Sequence, residues 1–312
     1  MTTAYLTHPS GCEHRTPEGH PERSERLRAV QQALSAPAFA GLRRESAPAG
    51  AEVQVLLAHP RRYVERVRAA IPQEGVVPLD PDTWVSAGSL DAAMHAVGGI
   101  CRAVDMVCAG EAANAFLAMR PPGHHAEREK SMGFCLFGTA AIGAFHALEN
   151  HGLGRVAVVD FDVHHGNGTQ DLLWDEPRAF FASTHEMPLY PGSGAASETG
   201  AHGQILNVPL AARTAGPGFR AAFEAQVLPR LEAHAPELVI ISAGFDAHRA
   251  DPLASLELED EDFAWATARI CDVAERSCGG RVVSTLEGGY DLDALAASVA
   301  AHVAVLMERG AG

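Results

Sequence analysis

Four apolar runs punctuate the chain: NAFLAM at 114–119, RVAVVDF at 155–161, ELVIISAG at 237–244 and RVVSTLEGG at 281–289. None alternates apolar with polar residues as a strand with one wet face would, so each reads as a strand buried on both faces. Between and around them, apolar residues recur at helical spacing and predict helices near 21–35, 60–70, 88–109, 137–151, 217–233, 260–276 and 292–308. Strands alternating with helices predict an α/β fold, a three-layer αβα sandwich with a mostly parallel central sheet. With no low-complexity linker and no fixed-period repeat, one domain is expected over 1–312.

Each run ends in polar residues or glycine. NAFLAM leads into RPPGHHA, RVAVVDF into DVHHGNG, ELVIISAG into FDAH, and RVVSTLEGG into Tyr290. Ligands of open parallel sheets gather beyond the carboxyl ends of the strands, so these four ends are expected to converge on one site.

Asp162 and His164 are two apart, and an extended backbone there would point both side chains the same way. Asp246, in SAGFDAH, is the natural third ligand. Two carboxylates and one imidazole suit a catalytic Zn²⁺ that keeps open positions for water and substrate, with Fe²⁺ and Co²⁺ also compatible. In MRPPGHHAE the prolines and Gly123 stiffen a loop that presents His124 and His125, whose imidazoles titrate in the range useful for acid and base catalysis. Tyr290 could donate to a developing oxyanion opposite the metal.

Composition narrows the partners. Lys and Arg total 24 against 39 Asp and Glu, a net charge of -15 that disfavours direct nucleic-acid binding and suits cationic partners such as lysine-rich segments or polyamines. No leader-like start and no apolar run of membrane-spanning length is seen, so a cytoplasmic protein with no membrane partner is expected. The six cysteines include no CxxC, and the pairs Cys101/Cys108 and Cys271/Cys278 are read as packing residues on helix faces rather than disulfides or metal ligands.

Taken together, GHPERSERL (19–27), RPPGHHA, GFCLF (133–137), DFDVHHGNGT, STHE with YPGSG (183–194), SAGFDAHRADPL (242–253) and EGGY closely resemble the zinc-dependent histone deacetylase family. The resemblance is to its class II-like bacterial amidohydrolases and acetylpolyamine amidohydrolases, and it covers nearly the whole chain. It implies an arginase-like fold and metal-assisted hydrolysis of an N-acyl amine. It implies one Zn²⁺ on Asp162, His164 and Asp246, His125 as general base, His124 as its electrostatic or acid partner, and Tyr290 polarising the carbonyl. It further implies that Asp160 orients His124 and, with Ser183, falls near a structural K⁺ site. Phe134 and Tyr190 would wall a narrow tunnel, with Gly133, Gly288 and Leu253 as further substrate contacts. Asn167 stands where class I members carry Asp, matching class II; a neutral partner should raise the histidine's basicity less than a carboxylate would. Ser24 replaces a proline common in the early motif.

Three functions follow. An acyl-lysine deacetylase is favoured over an acetylpolyamine deacetylase, because Leu253 stands where the polyamine branch carries an acid and no long insertion is evident between 70 and 90. Glu257 or Glu259 could still supply that charge. A catalytically dead acyl-binding module would have lost a ligand, histidine or tyrosine, and none is lost. The expected partners are an acetylated lysine peptide or protein or a small N-acetyl amine; a homo-oligomer stays open.

Overall fold

A computed structural model describes residues 2–311. Ten strands are present: β1 Thr3–Thr7, β2 Arg43–Ser46, β3 Val76–Pro78, β4 Trp84–Ser86, β5 Asn114–Leu117, β6 Val156–Asp160, β7 Ala179–Glu186, β8 Ile205–Leu210, β9 Leu238–Ala243 and β10 Val282–Leu286. The α-helices are α1 Ser24–Ala33, α2 Glu52–Val55, α3 Arg61–Ala70, α4 Ser89–Cys108, α5 Thr139–Asn150, α6 Asn167–Leu173, α7 Gly216–Ala222, α8 Leu228–His234, α9 Asp260–Cys278 and α10 Leu292–Gly310. Eight strands form one sheet in the order β2-β1-β5-β10-β9-β6-β7-β8, with every pairing parallel, while β3 and β4 make a small antiparallel hairpin.

The sheet is covered on both sides, which is why its strands read as unbroken apolar runs. In β6, Val156 and Val158 join Ile100 and Val104 of α4 and Ile142 of α5 in one core. Their neighbours Ala157 and Val159 face the opposite way, toward Ile270 of α9 and Val299 of α10. β9 repeats the alternation, Leu238 and Ile240 against Val239 and Ile241.

The helix expected at 217–233 is interrupted. Residues Phe223–Val227 form a π turn between α7 and α8. Pro229, at the start of α8, has no N–H to give the preceding turn, and a wider turn accommodates its ring.

The four loaded strands β5, β10, β9 and β6 are contiguous at the centre of the sheet. Their carboxyl ends therefore open side by side, as the topology argument expects.

Candidate active site

The strand β6 ends at Asp160, and the chain does not stay extended through Asp162 and His164. Instead the Asp162 N–H donates to Asp160 Oδ1 at 3.0 Å, and the His164 N–H donates to Asp162 Oδ1 at 2.9 Å. Short carboxylates capping the backbone two residues on replace the ladder with turns. Those turns still bring the side chains together, because the Val163 N–H donates to Asp246 Oδ1 at 2.9 Å and draws the β9 loop in. His164 Nδ1 then lies 3.0 Å from Asp246 Oδ2 and 3.2 Å from Asp162 Oδ1.

This trio fits a divalent ion. One ligating atom from each residue lies within 4.8 Å of the others, and all three residues are buried. Burial favours neutral forms, yet the two carboxylates outweigh it and raise His164 to about 10. Burial and the neighbouring Asp162 charge also push Asp246 up. Two buried carboxylates competing for one imidazole mark a place that calls for added positive charge. Gly288 lies beneath them: its N–H donates to Asp162 Oδ2 at 2.8 Å, and a Cβ there would stand 2.1 Å from Asp246 Oδ2.

The histidine loop is held by Glu287, whose Oε2 accepts the N–H groups of Gly123 at 2.7 Å and His124 at 3.1 Å. His124 Nδ1 is 3.0 Å from Asp160 Oδ2. Burial opposes its charge, but Asp162 and Asp160 prevail and hold it well above the usual imidazole range. His125 differs. Burial, reinforced by the charges of His124 and His164, holds it well below that range. Asn167 Nδ2 donates to Glu127 at 2.7 Å, leaving Asn167 Oδ1 to accept from His125 Nδ1 at 2.7 Å. His125 is thus neutral, with its proton on Nδ1 and a lone pair on Nε2.

A cavity of about 200 Å³ descends to these groups, lined by Asp82, His125, Gly133, Phe134, His164, Leu189, Tyr190, Leu253 and Tyr290. The Tyr190 ring stands edge-on to His125 at 5.2 Å, and Phe134 edge-on to Tyr290 at 5.8 Å. Gly133 has φ 54°, and a Cβ there would stand 2.3 Å from the His125 ring. Burial, against the opposing charge of Arg26, keeps the Tyr290 phenol well above its usual range and so protonated. Ser183 is paired with Asp160 across the β6–β7 ladder, its hydroxyl 2.9 Å from His185 Nδ1. Gly288 is at the floor, below the carboxylates, rather than along the cavity wall. No disulfide forms among the described residues, and all six cysteines are free.

The supporting roles of several residues within these motifs escaped the sequence reading. Glu22 and Arg26 have the spacing of a surface helix pair, yet both side chains are fully buried, 3.1 Å apart, with Arg120 also paired to Glu22. Arg26 donates to the carbonyls of Gly289 and Glu287, each at 2.5 Å, and its guanidinium lies 4.7 Å from the Tyr290 ring centroid. Asp251 accepts from Tyr290 N–H at 2.7 Å and Leu253 N–H at 3.0 Å, tying two site loops together. Such long-range ties leave no local spacing to read.

The family model of the histone deacetylase domain matches residues 20–306. The chain is 37% identical over 304 residues to Histone deacetylase 10, chloroplastic, of Oryza sativa subsp. japonica, covering 91% of this chain and 68% of that one. It is 39% identical over 277 residues to the Histone deacetylase-like amidohydrolase of Pseudomonas aeruginosa, covering 87% and 73% respectively. A solved structure titled "Crystal Structure of HDA15 HD domain" superposes with a TM-score of 0.93 at 33% identity, over 98% of this chain and 88% of that one.

Proposed function

Since the chain belongs to the histone deacetylase domain family, we propose that it hydrolyses N-acetyl amides and that acyl-lysine is its preferred substrate class. The observation that carries this reading is the narrow cavity that ends at His125, Tyr290 and the ligand trio. An aliphatic chain lies between Phe134 and Tyr190 with its acyl group at the floor, and these walls exclude water from the reacting carbonyl.

Zn²⁺ held by Asp162, His164 and Asp246 would polarise the acyl carbonyl and acidify a water. His125, neutral at Nε2, takes the proton of the attacking water. His124, kept protonated by Asp162 and Asp160, supplies positive charge beside that proton and serves as the acid partner for the leaving amine. The Tyr290 hydroxyl, kept protonated by burial, donates to the oxygen that gains negative charge. Asp160 and Ser183 would flank a structural K⁺.

Leu253 in the cavity wall supports acyl-lysine, because it puts an apolar side chain where the polyamine branch carries an acid to hold a distal ammonium. Asp82 in the same lining supports the second reading, an acetylpolyamine deacetylase. A side-by-side assay of an acetyl-lysine peptide and acetylputrescine separates them. A higher kcat/KM on the peptide is expected; a strong preference for acetylputrescine reverses the ranking.

A further inference from the structure

We propose that the protein carries a second divalent transition-metal site, remote from the first, built from Asp105, His146 and His151. Asp105 lies near the end of α4, His146 on α5, and His151 at the residue capping α5. α4 leads to the amino end of β5 and α5 to the amino end of β6, so the trio sits at the opposite pole of the sheet from the catalytic groups.

The geometry converges. Both Nε2 atoms lie 2.7 Å from the same oxygen, Asp105 Oδ1, and the rings are inclined at 74° with centroids 5.5 Å apart. In-plane lone pairs of two such rings meet near one point. A second cluster, His8, Asp91 and His95, also places ligating atoms within 4.8 Å of one another. Its imidazoles lie face to face, 3.5 Å apart at 7°, so their lone pairs run parallel and cannot share one ion.

Burial makes the same selection. The His146 side chain is 7% exposed and its Nδ1 has no hydrogen-bond partner. Leaving a buried polar atom unpaired costs about 1–3 kcal/mol, so what meets Nε2 must offset it. Nε2 donates the ring proton to Asp105 Oδ1, and the unpartnered Nδ1 is where that proton resides once Nε2 turns its lone pair to an ion. Asp105 and His151, 43% and 25% exposed, leave the site open to solvent for entry and for a water ligand.

Two imidazoles and one carboxylate select a borderline ion such as Zn²⁺, Co²⁺ or Ni²⁺ over Ca²⁺ or Mg²⁺, which require oxygen donors. Ligands around a tetrahedral ion at about 2.1 Å stand about 3.4 Å apart, so the exposed carboxylate must withdraw by at least about 0.7 Å. The bound ion would pin the end of α4 to the end of α5.

Equilibrium dialysis of the full-length protein against Zn²⁺, read by elemental analysis, tests this. Two ions per chain are expected in the unsubstituted protein, and one in His151→Ala and in Asp105→Asn. Co²⁺ added after the catalytic site is filled with Zn²⁺ should produce visible d–d absorption that both variants lack. Circular dichroism establishes that each variant is folded, and the half-exposed Asp105→Asn serves if His151→Ala is not. One ion per chain in the unsubstituted protein, or a second ion that persists in the folded variants, overturns the proposal.

Discussion

On the proposed mechanism, Tyr290 and Gly288 should separate chemistry from metal binding within three residues of chain. Tyr290→Phe keeps the ring over Arg26 and removes only the hydroxyl. The expected result is a fall in kcat of about 10²–10³ with KM little changed, because the lost hydrogen bond forms only as charge develops on the substrate oxygen. Steady-state kinetics checks it. Gly288→Ala should instead abolish the catalytic ion: its Cβ would lie 2.1 Å from Asp246 Oδ2 and 2.6 Å from Asp162 Oδ2, where neither buried carboxylate can retreat. Elemental analysis should find one Zn²⁺ fewer per chain than in the unsubstituted protein, with Tyr290→Phe retaining all of it.

Strand β9 shows what positions these groups and why it was legible in advance. Ile240 and Ile241 are fully buried on opposite faces, one in each core. Ile240→Ala leaves a cavity under α4 and α5 and should cost about 2–5 kcal/mol, measured by chemical denaturation. A run apolar on both faces announces itself, so β5, β6, β9 and β10 could be read from the chain. The edge strand β2, with sequence RRES, pairs with only one neighbour and carries no apolar residue to betray it. β7, with sequence AFFASTHE, is buried throughout, but its second half is polar because Ser183, His185 and their partners form a hydrogen-bonded network. Polar residues satisfied by one another inside a protein look like a loop in sequence. The motif residues around the cavity were legible by their chemistry, while Glu287, Asp251 and Arg26 stood in the same motifs but their holding roles, made by contacts to distant elements, were not.

Buried neutral histidines tie the layers together and should make global stability fall in mild acid. His302 on α10 is fully buried, with Nδ1 2.6 Å from the Thr267 hydroxyl of α9 and Nε2 2.9 Å from the Ser284 hydroxyl of β10. Burial pulls it down to about 3. His59, buried between the Arg128 carbonyl at 3.1 Å and the Gly138 N–H at 2.9 Å, is pulled down to about 4 by the same cause. Each binds its proton more readily unfolded, where the ordinary value is near 6.5, so its contribution is complete above that pH and is lost as pH falls toward the folded value. Asp251 opposes this trend: burial raises it to about 7, so it takes up a proton more readily when folded and gains stability on acidification. The histidine contribution is therefore isolated by difference. Between pH 6.5 and 5, the unfolding free energy of the unsubstituted protein should fall more steeply than that of His302→Gln, by about 1.7 kcal/mol in all, the difference in slope approaching about 1.4 kcal/mol per pH unit toward pH 5. Parallel pH profiles from denaturant titration would show that His302 is not the neutral brace between α9, α10 and β10 that its two hydroxyl partners imply.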